Sequence, residues 1–167
     1  MNTNTFAQEF LRELKTEIAA SRKCIERIPE SVFNYKPHEK SMAMGYLTVI
    51  VAEVPRWIAI TIEKGEIDFA TWEKYKLTTN AELVKYFDKN VEWAENALKN
   101  TTDEALEEMF YLKMGGKELM KSLKKESVSS QINHWIHHRG QLTVYMRLNN
   151  IPVPSIYGPS ADENTFK

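Results

Sequence analysis

Three of the four histidines in the chain lie within five residues, in the segment HWIHHRGQL that begins at His134. His134 and His138 are four residues apart, so on a helix they share one face. Two imidazoles side by side can bind one divalent ion at about 2.0 to 2.1 Å from each nitrogen. A catalytic ion usually has three protein ligands and an open position for water. The pair therefore predicts a metal site only if another element supplies a third donor.

The same histidines can also be polar side chains of a partly buried helix, bonded to their neighbours. The segment has no HExxH motif, because Trp135 and Ile136 follow the first histidine and the general base of a zincin is absent. Without a metal, two adjacent imidazoles disfavour double protonation, so at least one should be neutral at neutral pH. Gln141 lies one turn beyond His138 and could orient that ring.

The residues after the histidines have structural explanations. Arg139 points away from the histidine stripe, so we expect an ion pair with a carboxylate of a neighbouring element. Glycine inside a helix costs about 1 kcal/mol relative to alanine, which predicts that another backbone closely approaches Gly140. Cys24, the single cysteine, is expected to be a packed thiol rather than a nucleophile, since no histidine adjoins it in the sequence.

Four segments have the apolar spacing of helices, in which residues three and four apart share a face. They run from Thr5 to Arg27, from Ser41 to about Lys64, from a cap at Thr79 and Asn80 to about Asn100, and from about Val128 to Asn149. Ser41 is the expected N-cap of the second helix, which Gly65 ends and Pro55 should kink. Such helices bury their apolar stripes against one another as an all-α, four-helix bundle with long connections.

The remaining segments connect these helices. A short helical turn is expected at DEALEEMF. Gly115 and Gly116 separate two short apolar-alternating pieces, which indicates a small β-hairpin or an ordered loop. The tail IPVPSIYGPSADENTFK contains three prolines and should lie extended on the bundle. At 167 residues the chain fits one domain, residues 1–167.

The charge composition argues against some partners. The 22 Lys and Arg residues nearly balance the 23 Asp and Glu residues, so neither nucleic acid nor an anionic membrane is an expected partner. The longest apolar stretch contains Glu53, Pro55 and Arg56, and is therefore predicted to be a core helix rather than a membrane span. The chain has no secretory-signal pattern and no possible internal disulfide, so a cytoplasmic location is expected.

Several segments together resemble the DinB family of DinB/YfiT-like proteins over nearly the whole chain: NYKPHEKSM, MGYLTVIVAEVPRWI, HWIHHRGQL and IPVPSIYGPSADE. The resemblance implies a four-helix bundle in which three histidines hold a divalent metal, often zinc or nickel. Two of these histidines match His134 and His138, and the third comes from the second helix. Some members are similar to thiol transferases or thiol-dependent isomerases, and many others have no assigned reaction.

The chain departs from this pattern in the second helix, where the position of the third histidine is Ile50. Isoleucine cannot ligate a metal and fills the space with apolar volume, so metal affinity should fall steeply if nothing substitutes. Glu53 could supply a carboxylate instead, or it could pair with Arg56 or Arg139. His38 could approach the open end of the bundle, or it could be a solvated loop residue.

Three functions are compatible with this altered or vestigial metal site. The first is a metal-dependent transferase or hydrolase, in which the ion lowers the pKa of a bound thiol or water. The second is a metal-free protein that binds a small apolar ligand. The third is a homodimeric interaction protein, since Ile132 and Ile136 form an apolar face opposite the histidines. The predicted cleft is lined by Ile50, Trp57, Trp135, Gln141 and Tyr145.

Overall fold

The computed structural model describes residues 5–164, which are mostly helical with a small three-stranded sheet. The ends of the predicted domain, residues 1–4 and 165–167, lie outside the described residues. In chain order the elements are α1 (Thr5–Glu26), a 3-10 turn (Glu30–Val32), α2 (Met44–Lys64), β1 (Glu66–Asp68), α3 (Asn80–Asn100), α4 (Asp103–Leu106), β2 (Met109–Met114), β3 (Lys117–Leu123) and α5 (Lys124–Leu148).

The four long helices pack on one another around a single main core. Helix α2 packs against α3 and α5, and α1 also packs against α3 and α5. By length and composition alone α2 could cross a membrane, but 83% of its most apolar window is buried inside the fold. Its side chains Leu47, Val51 and Ile58 are fully buried, as expected for a core helix.

Two predicted helix caps are confirmed and one is wrong. Thr79 caps α3 by accepting a hydrogen bond from the Glu82 backbone N–H at 3.2 Å, and Gly65 ends α2 in a left-handed conformation with φ of 70°. The predicted N-cap at Ser41 is wrong, because α2 begins at Met44 after Ala43, which makes no side-chain cap bond. The short α4 occupies the expected turn after α3.

Helix α5 begins earlier than predicted, at Lys124 instead of Val128. The Glu126 carboxylate accepts a hydrogen bond from the backbone N–H of Leu123 at 3.1 Å, and this satisfies a donor at the start of the helix. Lys124 is buried, and its ammonium bonds to Glu108 at 2.7 Å. These contacts extend α5 to the end of β3.

The sheet corrects the all-α prediction. Strands β2 and β3 form the expected antiparallel hairpin, with Gly115 and Gly116 in its turn at φ of 60° and 79°. Strand β1 was not expected; it pairs in parallel with β2, with Glu66 opposite Tyr111. The carboxylate of Asp68 accepts hydrogen bonds from the backbone N–H groups of Gly115 and Gly116, at 2.8 and 2.7 Å. These bonds hold the hairpin turn against the end of β1.

A buried ion pair joins α5 to α1 and confirms the prediction for Arg139. Its guanidinium lies 2.5 Å from the carboxylate of Glu17, and the two residues are 2% and 4% exposed. The Tyr157 hydroxyl accepts a hydrogen bond from Arg139 and donates one to Glu17. The close backbone approach predicted at Gly140 is wrong, because that residue is exposed and an added Cβ would meet nothing within 4 Å. Packing therefore gives no reason for a glycine there.

The tail lies on α1 and α5, as expected. Arg27, which directly follows α1, donates hydrogen bonds to Glu163 and to the carbonyl of Pro152. Arg147 of α5 pairs with Asp162 at 2.5 Å. These contacts attach both ends of the tail to the helices.

Candidate functional site

The histidines of α5 lie side by side, as their spacing predicts. The ring centroids of His134 and His138 are 4.4 Å apart, and His137 is exposed beside them. Burial, helped by the neighbouring histidines, lowers the pKa of both His134 and His138. Both rings are therefore neutral at pH 7. Nδ1 of His138 lies 2.7 Å from Oε1 of Gln141, and with the amide in this orientation Nδ1 donates and Nε2 is left as an acceptor.

The Glu53 carboxylate is already engaged within the fold. It is 7% exposed, and its Oε1 accepts a hydrogen bond from the Tyr86 hydroxyl at 2.7 Å. The Arg56 guanidinium lies 3.5 Å from the same oxygen. Of the two pairings considered for Glu53, the one with Arg56 is therefore present, whereas Arg139 pairs with Glu17.

The other two positions considered for a third metal ligand, Ile50 and His38, do not complete a metal site. Ile50 is half-buried and carries no donor atom. His38 is exposed in its loop, where its ring accepts a hydrogen bond from the Lys40 backbone at 3.1 Å. Within residues 5–164, no group of three His, Cys, Asp or Glu side chains is placed to hold an ion. The donor set beside His134 and His138 thus does not fit the three-ligand pattern that the family resemblance implies.

A cavity of about 690 Å³ lies beside the histidine pair. Its wall includes Ile50 and Trp57 from α2, His134 from α5, and the carboxylate-bearing Glu53. Six aromatic side chains contribute to the lining: Phe33, Tyr46, Trp57, Phe69, Trp72 and Tyr75. A cavity of this size, mostly apolar with a few polar groups, has the usual character of a small-molecule site.

The predicted cleft matches this cavity in part. Ile50 and Trp57 line it, as predicted. Trp135 and Tyr145 are instead buried in the main hydrophobic core, and Gln141 is bonded to the second histidine. All three residues belong to α5, the helix of the histidine pair, but none of them lines the cavity.

The connection between β1 and α3 supplies cavity residues that sequence reasoning missed. Phe69, Trp72 and Tyr75 all come from this segment. Trp72 packs edge-on against Trp57, with ring centroids 6.2 Å apart, and the Arg56 guanidinium lies 4.2 Å from the centre of the Trp72 ring. An available signal was the aromatic residue at every third position in FATWEKY, unusual for a solvated loop.

Two further predictions concern residues outside the cavity. Cys24 is fully buried, and burial raises the pKa of its thiol to about 11, so it is a packed thiol as expected. Ile132 is also fully buried within the chain, and the half-buried Ile136 packs against the same core. The apolar face that suggested a homodimer is therefore covered by the chain itself, and the dimer stays a prediction.

The fold and the site define a mostly helical protein with an adjacent histidine pair beside an aromatic cavity. The chain belongs to the DinB family, which it matches over residues 1–165. It is 25% identical over 160 residues to the uncharacterised protein YrdA of Bacillus subtilis (strain 168), covering 92% of this chain and 89% of that protein.

Two solved structures have a similar fold. A DinB-like protein from Bacillus subtilis, YjoA, superposes with a TM-score of 0.69 at 22% identity, covering 87% of this chain and 96% of that chain. A DinB-like protein from Bacillus cereus ATCC 10987 superposes with a TM-score of 0.67 at 18% identity, covering 90% and 97%. At these identities the likeness establishes the fold alone.

Proposed function

We propose that this DinB-family protein binds a small, neutral, aromatic molecule and that its metal site is vestigial. The observation that carries the proposal is the cavity of about 690 Å³ in which Ile50, at the position of the missing ligand, forms part of the wall beside His134. An isoleucine side chain there offers apolar contact instead of coordination. Isoleucine in place of the third histidine therefore weakens the metal site and also adds apolar surface to the cavity.

The lining supports an aromatic ligand in particular. Aromatic rings attract one another in offset-stacked or edge-on arrangements, beyond the gain from burying area. The rings of Trp57 and Trp72 already meet edge-on at 6.2 Å, which offers two differently oriented surfaces for a planar ligand. A ligand with a small hydrogen-bonding group could in addition reach His134.

The charges around the cavity support a neutral ligand. Glu53 lies beside Arg56, so the carboxylate and the guanidinium offset each other. His134 has a pKa lowered chiefly by burial and is uncharged at pH 7. Lys74 also lines the cavity, but its side chain is exposed and already solvated, so it offsets little of the hydration that a charged ligand would lose on entering.

A metal-dependent transferase or hydrolase is the second candidate. The adjacent rings of His134 and His138 support it, because an i, i+4 pair can contribute two metal ligands. A third donor is still required, and the Glu53 carboxylate would have to leave Tyr86 and Arg56 to serve. We therefore place this candidate below ligand binding.

Isothermal titration calorimetry with indole as the probe, in buffer containing EDTA, tests the proposed function. Wild-type protein should bind indole saturably in the presence of the chelator, and Ile50→Trp should weaken binding because the larger side chain occupies part of the cavity beside His134. Val144→Trp is the matched control, since Val144 is 58% exposed on α5 and should tolerate the same addition. The proposal is wrong if wild-type protein does not bind indole, or if both variants bind it as wild type does.

A further inference from the structure

A second cavity of about 420 Å³ lies between the sheet and α5. Its apolar wall includes Ile67, Phe110 and Leu112, and Gln131 of α5 contributes a polar group. Trp57, Phe69 and His134 belong to the lining of both cavities, so the two cavities adjoin each other. The part of the second cavity formed by Ile67, Phe110, Leu112 and Gln131 does not belong to the first.

Two buried polar atoms on the lining residues of this second cavity lack partners. Gln131 is 9% exposed; its Nε2 donates a hydrogen bond to the Thr61 hydroxyl at 2.8 Å, and its Oε1 has no partner within residues 5–164. The indole Nε1 of Trp57 is also buried and has no partner among the same residues. Leaving such a buried group unsatisfied costs about 1–3 kcal/mol, so each requires an explanation.

We propose that the second cavity binds a small alcohol or phenol, whose hydroxyl group accepts a hydrogen bond from Trp57 and donates one to Gln131. A hydroxyl group is both donor and acceptor, as these two side chains require. A carbonyl could satisfy only Trp57, and an ammonium could satisfy only Gln131. The apolar body of the ligand lies against Ile67, Phe110 and Leu112.

A hydroxyl group suits either orientation of the Gln131 amide, whereas a carbonyl, which only accepts hydrogen bonds, suits only the exchanged one. If its oxygen and nitrogen were exchanged, the oxygen would accept from Thr61 and the NH₂ group would be the unsatisfied atom. A ligand hydroxyl could then accept from Gln131 and from Trp57. In both orientations the hydroxyl supplies the missing partner, and a methyl group of the same size does not.

The test compares para-cresol with para-xylene, in which a methyl group replaces the hydroxyl. Isothermal titration calorimetry should show that wild-type protein binds para-cresol more tightly, although para-xylene is the more apolar molecule. Gln131→Leu should weaken para-cresol binding by about tenfold, since each 1.4 kcal/mol is a factor of ten, and should reverse the preference. Equal affinities in the wild type, or tighter binding of para-xylene, would mean that water satisfies the two atoms and the proposal is wrong.

A pair of leucine substitutions in the hairpin locates the binding. Leu112→Trp places a larger side chain in the second cavity and should weaken para-cresol binding. Leu119→Trp makes the same change on β3, at a residue that is 52% exposed, and should leave binding unchanged. Para-cresol binding that is as tight in Leu112→Trp as in the wild type would place the ligand elsewhere and overturn the proposal. The wild-type comparison of the two ligands remains decisive if a variant does not fold.

Discussion

Replacing Arg139 by methionine should strongly destabilise the protein. The guanidinium is 2% exposed and donates to the Glu17 backbone carbonyl, to the Ser21 hydroxyl and to the Tyr157 hydroxyl, besides its ion pair with the Glu17 carboxylate. Methionine is long and apolar enough to occupy the space but makes none of these bonds. The Glu17 carboxylate would remain buried, and among residues 5–164 only the Tyr157 hydroxyl would still donate a hydrogen bond to it.

The expected loss follows from removing one partner of a buried ion pair, which typically costs about 3–5 kcal/mol. For a domain of this size each 1 kcal/mol lowers Tm by about 2–4 °C. Urea unfolding followed by circular dichroism gives the free energy of unfolding, and an unchanged m-value shows that the two proteins lose the same structure. Adding Glu17→Gln to Arg139→Met should recover part of the loss, since the uncompensated charge is gone.

Arg147→Met is the matched control on the same helix. Arg147 also pairs with a carboxylate, that of Asp162, but its side chain is 50% exposed. Exposed pairs contribute about 0–1 kcal/mol, because water already solvates both charges. If Arg139→Met and Arg147→Met destabilised the protein equally, burial would not govern the strength of these pairs and the reasoning would be refuted.

Three further predictions use groups outside the cavities. The Cys24 thiol, with its pKa raised to about 11, should not react with Ellman's reagent in the folded protein at pH 8 but should react in urea. Hydrogen bonds from Arg27 and the tail backbone lower the Glu163 pKa to about 2 from 4.5, so its contribution to stability is present above pH 4.5. That contribution disappears as the pH falls toward 2, and Glu163→Gln should therefore destabilise the protein at pH 6 but not at pH 2 by urea unfolding. Asp68→Ala should speed hydrogen exchange at the amides of Gly115 and Gly116, whose acceptor it removes.

Local sequence signals predicted the helices well because helical periodicity and caps are local. The Thr79 cap, the Gly65 terminus and the glycine turn of the hairpin were all readable from neighbouring residues. Strand β1 was not readable, since it is three residues long and pairs in parallel with a strand more than forty residues away. The starts of α2 and α5 also differ from the prediction, because Ser41 does not cap α2 and because the Glu126 side chain, in the first turn of α5, caps the start of that helix.

The site was predictable where its residues share one helix. The four-residue spacing of His134 and His138 predicted that their rings lie side by side, and they do. Gln141, one turn further along the helix, forms the predicted hydrogen bond with His138. The tertiary partners were not predictable, because the contacts of Glu53 with Tyr86 and of Arg139 with an α1 carboxylate join distant segments. The aromatic residues between β1 and α3 enter the cavity only after that connection has folded over α2.

We infer that Ile50, at the position of the third metal ligand, forms part of the cavity wall instead of a metal site. Metal content by inductively coupled plasma mass spectrometry, on tag-free wild-type protein beside Ile50→His and His138→Ala, tests it most directly. We predict no stoichiometric ion in the wild type and close to one zinc or nickel ion per chain in Ile50→His, because the added imidazole would supply a third donor. Close to one ion per chain in the wild type, lost in His138→Ala, would contradict the claim and favour the metal-dependent enzyme.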